Sequence, residues 1–265
     1  MIGDRKALVE ALAIAARDAG EAILEIVARG FDVEAKGDSS PVTEADRAAE
    51  KIILAALARL APGIPIIAEE EVAAGRIPDH GDTYFLVDPL DGTKEFVGGG
   101  DDYTVNIGLI EYGSPVLGVV FAPATGTLYA GIAGVGAWRE DAAGRTAIHS
   151  RARGASVTAV ASKSHFSKPT AAYLEALGAS DFVSIGSSLK FCIVAEGRAD
   201  IYPRLGPTCE WDTAAGHAVL LAAGGLVEGI DGSALAYGKP KFFNPGFVAT
   251  AGWKPPALGP FFDDA

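Results

Sequence analysis

Cysteine is scarce in this chain, with only Cys192 and Cys209 among 265 residues. Two such residues make neither a disulfide framework nor a zinc site, so both are expected to be buried, reduced thiols. Basic residues are also outnumbered, 22 Lys and Arg against 34 Asp and Glu, for a net charge of −12. That balance repels nucleic acid and anionic membrane over most of the surface, and an anionic ligand would need a local basic pocket or bound cations. No long apolar run opens the chain. Residues 1–6 carry both signs, Glu10 interrupts the apolar stretch that follows, and Arg17-Asp18 comes soon after. Neither a secretory signal nor a spanning helix fits, and the reading is a cytoplasmic protein without stable membrane insertion. Heptad arrays, low-complexity tracts, solenoid repeats and a long linker are missing too.

What remains is globular. At 49% hydrophobic residues the chain can bury a sizeable core, as one large domain or two closely packed halves. Leu8, Leu12, Ala15, Ala19, Ile23 and Ile26 recur at spacings of three and four, the buried face of a helix ending near Gly30. Thr43-x-x-Asp46 has the form of a capping box opening a second helix, with Ala49, Ile53, Leu57 and Leu60 as its apolar stripe and Pro62 as its stop. On this reading Asp46 is simply a carboxylate in a first turn, where the helix dipole favours it. A short buried strand over 64–68 leads to Glu69, Glu70 and Glu71. Such an acidic run is usually solvated, although its place at a strand end allows one glutamate to be held inward beside a cation.

Antiparallel strands are expected over 104–110, 116–121, 128–132 and 135–139, joined by short turns. Beyond residue 150 the pattern turns to strand-helix alternation: strands over 157–161, 182–185, 199–203 and 226–230, with helices over 170–177 and 188–196. The expected fold is therefore an α+β N-terminal half, residues 1–150, packed on an α/β C-terminal half, residues 151–265, in one continuous globular unit.

The most informative segment is Asp88-Pro89-Leu90-Asp91-Gly92-Thr93-Lys94, at the end of the apolar run 84–87. A strand running out at Val87 would point Asp88 into a cleft, and Pro89 and Gly92 would fold the backbone so that Asp91 faces the same space. Two carboxylates so placed can hold hard cations. If Gly92, Thr93 and Lys94 open a helix, their free N–H groups form a seat for phosphate. Asp-Pro-x-Asp-Gly is also ordinary turn chemistry. In the second half, Asp212 stands just ahead of a small-residue helix that runs through His217 to Ala223, where it can cap the helix, face a metal, or do both. Ser162-Lys163-Ser164-His165 and Gly186-Ser187-Ser188-Leu189-Lys190 each follow an expected strand, at the carboxyl ends where open α/β sheets bind ligands. Each could be a helix cap with a solvated lysine; together they would line a site for an anion.

Taken as a set, Glu69-Glu70, Asp88-Pro89-Leu90-Asp91-Gly92-Thr93 and Trp211-Asp212-x-Ala-Ala-Gly resemble the inositol monophosphatase superfamily of magnesium-dependent, lithium-sensitive phosphatases. Asp91-Gly92-Thr93-Lys94-Glu95-Phe96, the stretch from Tyr103 to Ile110, Gly186-Ser187-Ser188-Leu189-Lys190-Phe191 and Tyr202-Pro203-Arg204 look like its CysQ-type 3'(2'),5'-bisphosphate nucleotidase branch. The resemblance covers nearly the whole chain. It implies a layered α-β-α-β-α sandwich and the removal of the 3'-phosphate from adenosine 3',5'-bisphosphate, a small-molecule partner, by attack of a metal-activated water with two or three Mg2+ ions.

By the same resemblance Glu69, Asp88 and the carbonyl of Leu90 would hold one ion, and Asp88, Asp91 and Asp212 a second. Thr93 and Asp46 would activate the water, with Glu69 counted beside them in the chemical step. Gly92 and Thr93 N–H groups would seat the phosphate, and Ser162, His165, Ser188, Lys190 and Asp212 would contact the nucleotide. One departure is Val97-Gly98-Gly99-Gly100-Asp101-Asp102, where the branch is expected to carry a less glycine-rich, more basic loop; it bears on substrate affinity. Inositol monophosphatase or fructose-1,6-bisphosphatase activity would use the same metal residues, and a catalytically silent phosphate-binding module could use the same scaffold.

Overall fold

The computed structural model describes residues 3–35, 41–162 and 167–262. Helix α1 (Arg5–Arg29) begins at an Asp4 side chain that accepts the Lys6 and Ala7 N–H groups, and ends where Gly30 takes a positive φ. An antiparallel pair, β1 (Val33–Ala35) and β2 (Pro41–Thr43), leads into α2 (Glu44–Leu60), whose capping box is formed by Thr43 and Asp46 as the spacing predicts. Leu60, expected in the buried stripe of α2, is half-buried. Then come β3 (Ile66–Ala68), α3 (Glu69–Ala73), β4 (Thr83–Asp91) and α4 (Thr93–Val97). The meander β5 (Thr104–Glu111), β6 (Ser114–Ala122), β7 (Thr127–Ile132), β8 (Gly136–Asp141) and β9 (Gly144–Ile148) completes a seven-stranded sheet of order β3-β4-β5-β6-β7-β8-β9.

The rest of the chain supplies β10 (Val157–Ser162), α5 (Lys168–Leu177), β11 (Ala179–Ile185), α6 (Leu189–Ala195), β12 (Ile201–Arg204) and β13 (Thr208–Cys209). It closes with α7 (Trp211–Ala222), β14 (Leu226–Gly229), β15 (Phe243–Asn244) and β16 (Phe247–Thr250). A five-stranded mixed sheet runs β11-β10-β12-β16-β14, and β13 pairs with β15 apart from it.

Period-two alternation on β4 separates the layers. Phe85 and Val87 pack with α1 and α2, while Tyr84 and Leu86 pack with α6, α7 and strands of the second sheet. On that sheet's far face, Tyr173 and Leu174 of α5 pack against Val157, Ala159, Ile201 and Val248. The order of layers is therefore helix, sheet, helix, sheet, helix. One core cluster unites side chains from both sides of residue 150, from Ile67 to Ala251. Helix α7 lies so close to the first sheet that a Cβ on Gly118 would stand 2.2 Å from the Ala215 carbonyl oxygen, and one on Gly108 2.8 Å from the Ala214 Cβ. Among the described residues no helix is long and apolar enough to cross a membrane.

Of the strands that the sequence pattern misses, β1, β2, β13 and β15 have only two or three residues, and β9 and β16 escape it for opposite reasons. The exposed edge strand β9 carries Arg145 and Thr146 on a stretch without alternation. Strand β16 is buried along its whole length between β12 and β14, so no polar face marks it. Cys192 is buried as expected, whereas Cys209 is half-buried.

Candidate active site

Strand register builds the acidic wall. β3 and β4 are parallel with Ala68 opposite Val87, so the next residues, Glu69 and Asp88, emerge side by side. β4 does not stop at Val87. It continues to Asp91, and its pairing with β5 shifts between Asp88, opposite Asn106, and Asp91, opposite Thr104. Residues three apart on a regular strand face opposite ways; the one extra residue in this irregularity returns Asp91 to the face of Asp88. The chain therefore turns at Gly92, not at Pro89. Gly92 has φ of 93°, and a side chain there would meet the Asp102 carbonyl at 2.9 Å. Short α4 follows, opening at Thr93.

Asp212 arrives from the other half of the chain. It lies inside the first turn of α7 rather than ahead of it, and its Oδ2 accepts the Cys209 N–H at 2.9 Å. Asp88 Oδ1 accepts the Leu90 N–H at 3.0 Å. Burial, followed by the charges of Glu69, Asp91 and Asp212, pushes the Asp88 carboxyl well above the usual range, and Glu69 also hydrogen-bonds it. Asp212 is pushed up by burial and then by Asp91 and Glu69. Asp91 is raised by burial, against the pull of Lys190, the Ser188 N–H and Asn106, whose Nδ2 donates to Asp91 Oδ2 at 3.3 Å. The structure thus brings Glu69, Asp88, Asp91 and Asp212 within electrostatic reach of one another.

The Thr93 hydroxyl donates to the Leu90 carbonyl at 3.0 Å and lies 3.4 Å from Asp46 Oδ1. Asp46 Oδ2 accepts the Thr43 N–H at 2.7 Å and the Thr43 hydroxyl at 2.8 Å. Burial pushes Asp46 up to about 6, partly offset by the Thr43 bonds, with Glu70 and Glu69 adding to the rise. Asp46 thus takes part in the helix cap and also reaches the hydroxyl of Thr93, which borders the cleft described next.

The facing wall begins where β11 ends. Ser187 adopts φ of 48°, and its carbonyl accepts the Lys190 ammonium. Burial drives Lys190 down to about 8 against the pull of Asp91. The Ser188 hydroxyl donates to Asn106 Oδ1 at 2.7 Å and touches the Thr104 hydroxyl at 3.0 Å. Between the walls lies a cleft of about 190 Å³, bordered by Glu69, Asp91 and Asp212 on one side and by Ser162, Ser188 and Lys190 on the other. His165 lies outside the described residues. The Gly186 N–H donates to Asp102 Oδ2 at 3.1 Å, which ties the glycine-rich loop over 97–102 to the Ser187-Ser188 turn. Sequence reasoning gave no role to Arg204 or Thr208, which also border the cleft, or to Asn106, which bridges the walls. Arg204 and Asn106 stood inside quoted motifs, and the buried polar Asn106 in a β-strand was the usable signal.

Among the described residues no three carboxylate, imidazole or thiol groups stand in a ready-made metal-ligand cluster. The donor set nevertheless suits a hard divalent cation. It consists of carboxylates with a nearby backbone carbonyl, and the raised pKa values of buried Asp88 and half-buried Asp212 mark a shortage of positive charge that a cation would relieve.

The chain belongs to the inositol monophosphatase family, whose sequence pattern matches residues 4–255. It is 47% identical over 247 residues to the 3'(2'),5'-bisphosphate nucleotidase CysQ of Salmonella typhimurium, covering 92% of this chain and 99% of that one. To the protein of the same name from Escherichia coli K12 it is 48% identical over 236 residues, 88% and 95% of the two chains. Among solved structures it is similar to CysQ from Bacteroides thetaiotaomicron, with a TM-score of 0.77 and 37% identity across 91% of this chain and 96% of the other. The inositol monophosphatase of Anabaena has the same fold at 27% identity, with a TM-score of 0.75 across 93% and 91%.

Proposed function

We propose that the chain is a magnesium-dependent phosphomonoesterase that removes the 3'-phosphate of adenosine 3',5'-bisphosphate to leave AMP. The observation that carries this reading is the pairing, across one cleft, of the half-buried acids Glu69, Asp91 and Asp212 with the buried cation Lys190. The near full-length similarity to CysQ nucleotidases supports the choice of substrate.

Glu69, Asp88, Asp91, Asp212 and the Leu90 carbonyl are assigned to hold two or three Mg2+ ions. Bound magnesium supplies a water of lowered pKa and neutralises charge on the transferring phosphoryl group. Asp46, raised to about 6 and 3.4 Å from the Thr93 hydroxyl, is suited to hold a proton passed through that hydroxyl near neutral pH. The N–H groups of Gly92 and Thr93 are assigned to the phosphate. Lys190, Ser188 and Ser162 are assigned to the rest of the nucleotide, with Asp212 closing the metal side.

The test is a substrate panel with purified protein: adenosine 3',5'-bisphosphate, inositol monophosphate and fructose 1,6-bisphosphate, each with magnesium and with EDTA. The expected result is a highest kcat/KM for the nucleotide that EDTA abolishes. Equal phosphate release with EDTA would overturn the metal chemistry, and preference for a sugar phosphate would overturn the substrate. Tight nucleotide binding without turnover would leave a silent binding module.

A further inference from the structure

Helix α2 carries two buried acids one turn apart, Asp46 and Glu50, and only Asp46 is used above. Glu50 is 4% exposed, and its Oε2 accepts the backbone N–H of Glu70 at 2.9 Å. The Glu71 N–H also reaches this carboxyl. These amides belong to the first turn of α3, a helix of five residues whose N-cap, Ala68, provides no side-chain acceptor. First-turn N–H groups without an acceptor leave a helix end frayed, and here the acceptor comes from another helix. The site is electrostatically adverse for an acid, because burial and the Glu70 and Glu71 charges push Glu50 up to about 7. The residue before Glu70 is Glu69, set beside Asp88 by strand register.

We infer that Glu50 is a positioning residue: by capping α3 from α2 it fixes the turn that carries Glu69 and so aims the Glu69 carboxylate at the cleft. Asp46 and Glu50 share one face of α2, so a single helix sets two parts of the site, the Thr93–Asp46 contact and the Glu69 turn. This inference rests on the reading of Glu69 as a magnesium ligand.

The test compares Glu50→Leu, which removes the acceptor, with Glu50→Gln, which keeps a carbonyl oxygen. Glu50→Ala stands in should leucine prevent folding. Three quantities are read: amide hydrogen exchange over residues 69–73 in metal-free protein, magnesium affinity by calorimetry, and nucleotide KM at saturating magnesium. Leucine is expected to speed exchange of the Glu70 amide tenfold or more and to weaken magnesium binding roughly 10- to 100-fold, the range found when groups that orient metal ligands are removed. KM should change far less, and glutamine should restore most of both losses. Wild-type exchange and affinity in Glu50→Leu would overturn the inference. So would lost protection with unchanged magnesium affinity, or a glutamine variant as impaired as leucine. Should wild-type protein bind no magnesium, the metal reading itself fails, while the exchange data still report on the cap.

Discussion

The two walls of the cleft are built differently. The acidic wall hangs on strand register: Glu69 just past the end of β3, Asp88 beside it within β4, Asp91 at the end of β4, and Asp212 on a helix pressed against the same sheet. The facing wall hangs on a loop and the start of a short helix, with Ser187 at positive φ and Lys190 bonded to its carbonyl. Both walls are displaced toward neutrality, Asp88 and Asp212 upward and Lys190 downward, with burial the first cause in each case. The attraction between Asp91 and Lys190 does not offset burial on either side, so an incoming cation would favour the charged acids and an incoming anion the charged lysine. On the function proposed above, the strand-borne wall would serve the metal chemistry and the loop-borne wall the choice of substrate.

That contrast can be broken most sharply at Asp91. Asp91→Asn keeps size and shape while deleting a charge, so kcat is expected to fall roughly a thousandfold or more, about 4 kcal/mol of barrier, with a folded protein by circular dichroism. A near-normal kcat would remove Asp91 from the chemistry. A smaller effect of another kind is expected across the cleft. Lys190→Met should raise KM for the nucleotide roughly 10- to 100-fold, about 1.4 to 2.8 kcal/mol, with a lesser change in kcat. A pure kcat defect there would erase the division between the walls.

The smallest effect on turnover is expected beyond both walls, at His217 on α7. His217 Nδ1 pairs with the Tyr237 hydroxyl at 3.0 Å, and that hydroxyl donates to Thr213, whose own hydroxyl donates to the Glu210 carbonyl. Burial, helped by Lys239, pushes His217 from 6.5 down to about 3. The unfolded chain therefore takes up the proton first, and as pH falls from 6.5 toward 3 this residue withdraws stability at up to about 1.4 kcal/mol per pH unit. His217→Gln should lack that slope in urea melts at a series of pH values, with kcat/KM near neutrality little changed. A pH-independent difference between wild type and variant would show that His217 is charged in the fold.

Much of this was legible in the sequence because the patterns were local. The α1 stripe, the Thr43–Asp46 cap and the meander need only a few neighbouring residues to be read. The acidic motifs announced themselves as a set. What could not be read was whatever depends on pairing across the chain. The turn residues that suggested a fold-back at Pro89 and Gly92 gave no hint that β4 would carry an extra residue and run on to Asp91. Strand β16 had no polar face to mark it, and Glu50 looked like one more charged position on α2 until the fold buried it beside the Glu70 amide.

The irregularity in β4 sets a counting rule for this protein. Carboxylates reach the same layer only because the chain slips phase once between residues 88 and 91. Removing one residue there would leave the two acids two apart on a regular strand and still on one face, whereas adding one without a second slip would turn one of them toward the α1–α2 layer, where Phe85 and Val87 already pack. Length changes in this stretch thus act by parity together with the slip: an added residue that the irregularity does not absorb splits the two charges between faces, while loss of the extra residue keeps them together.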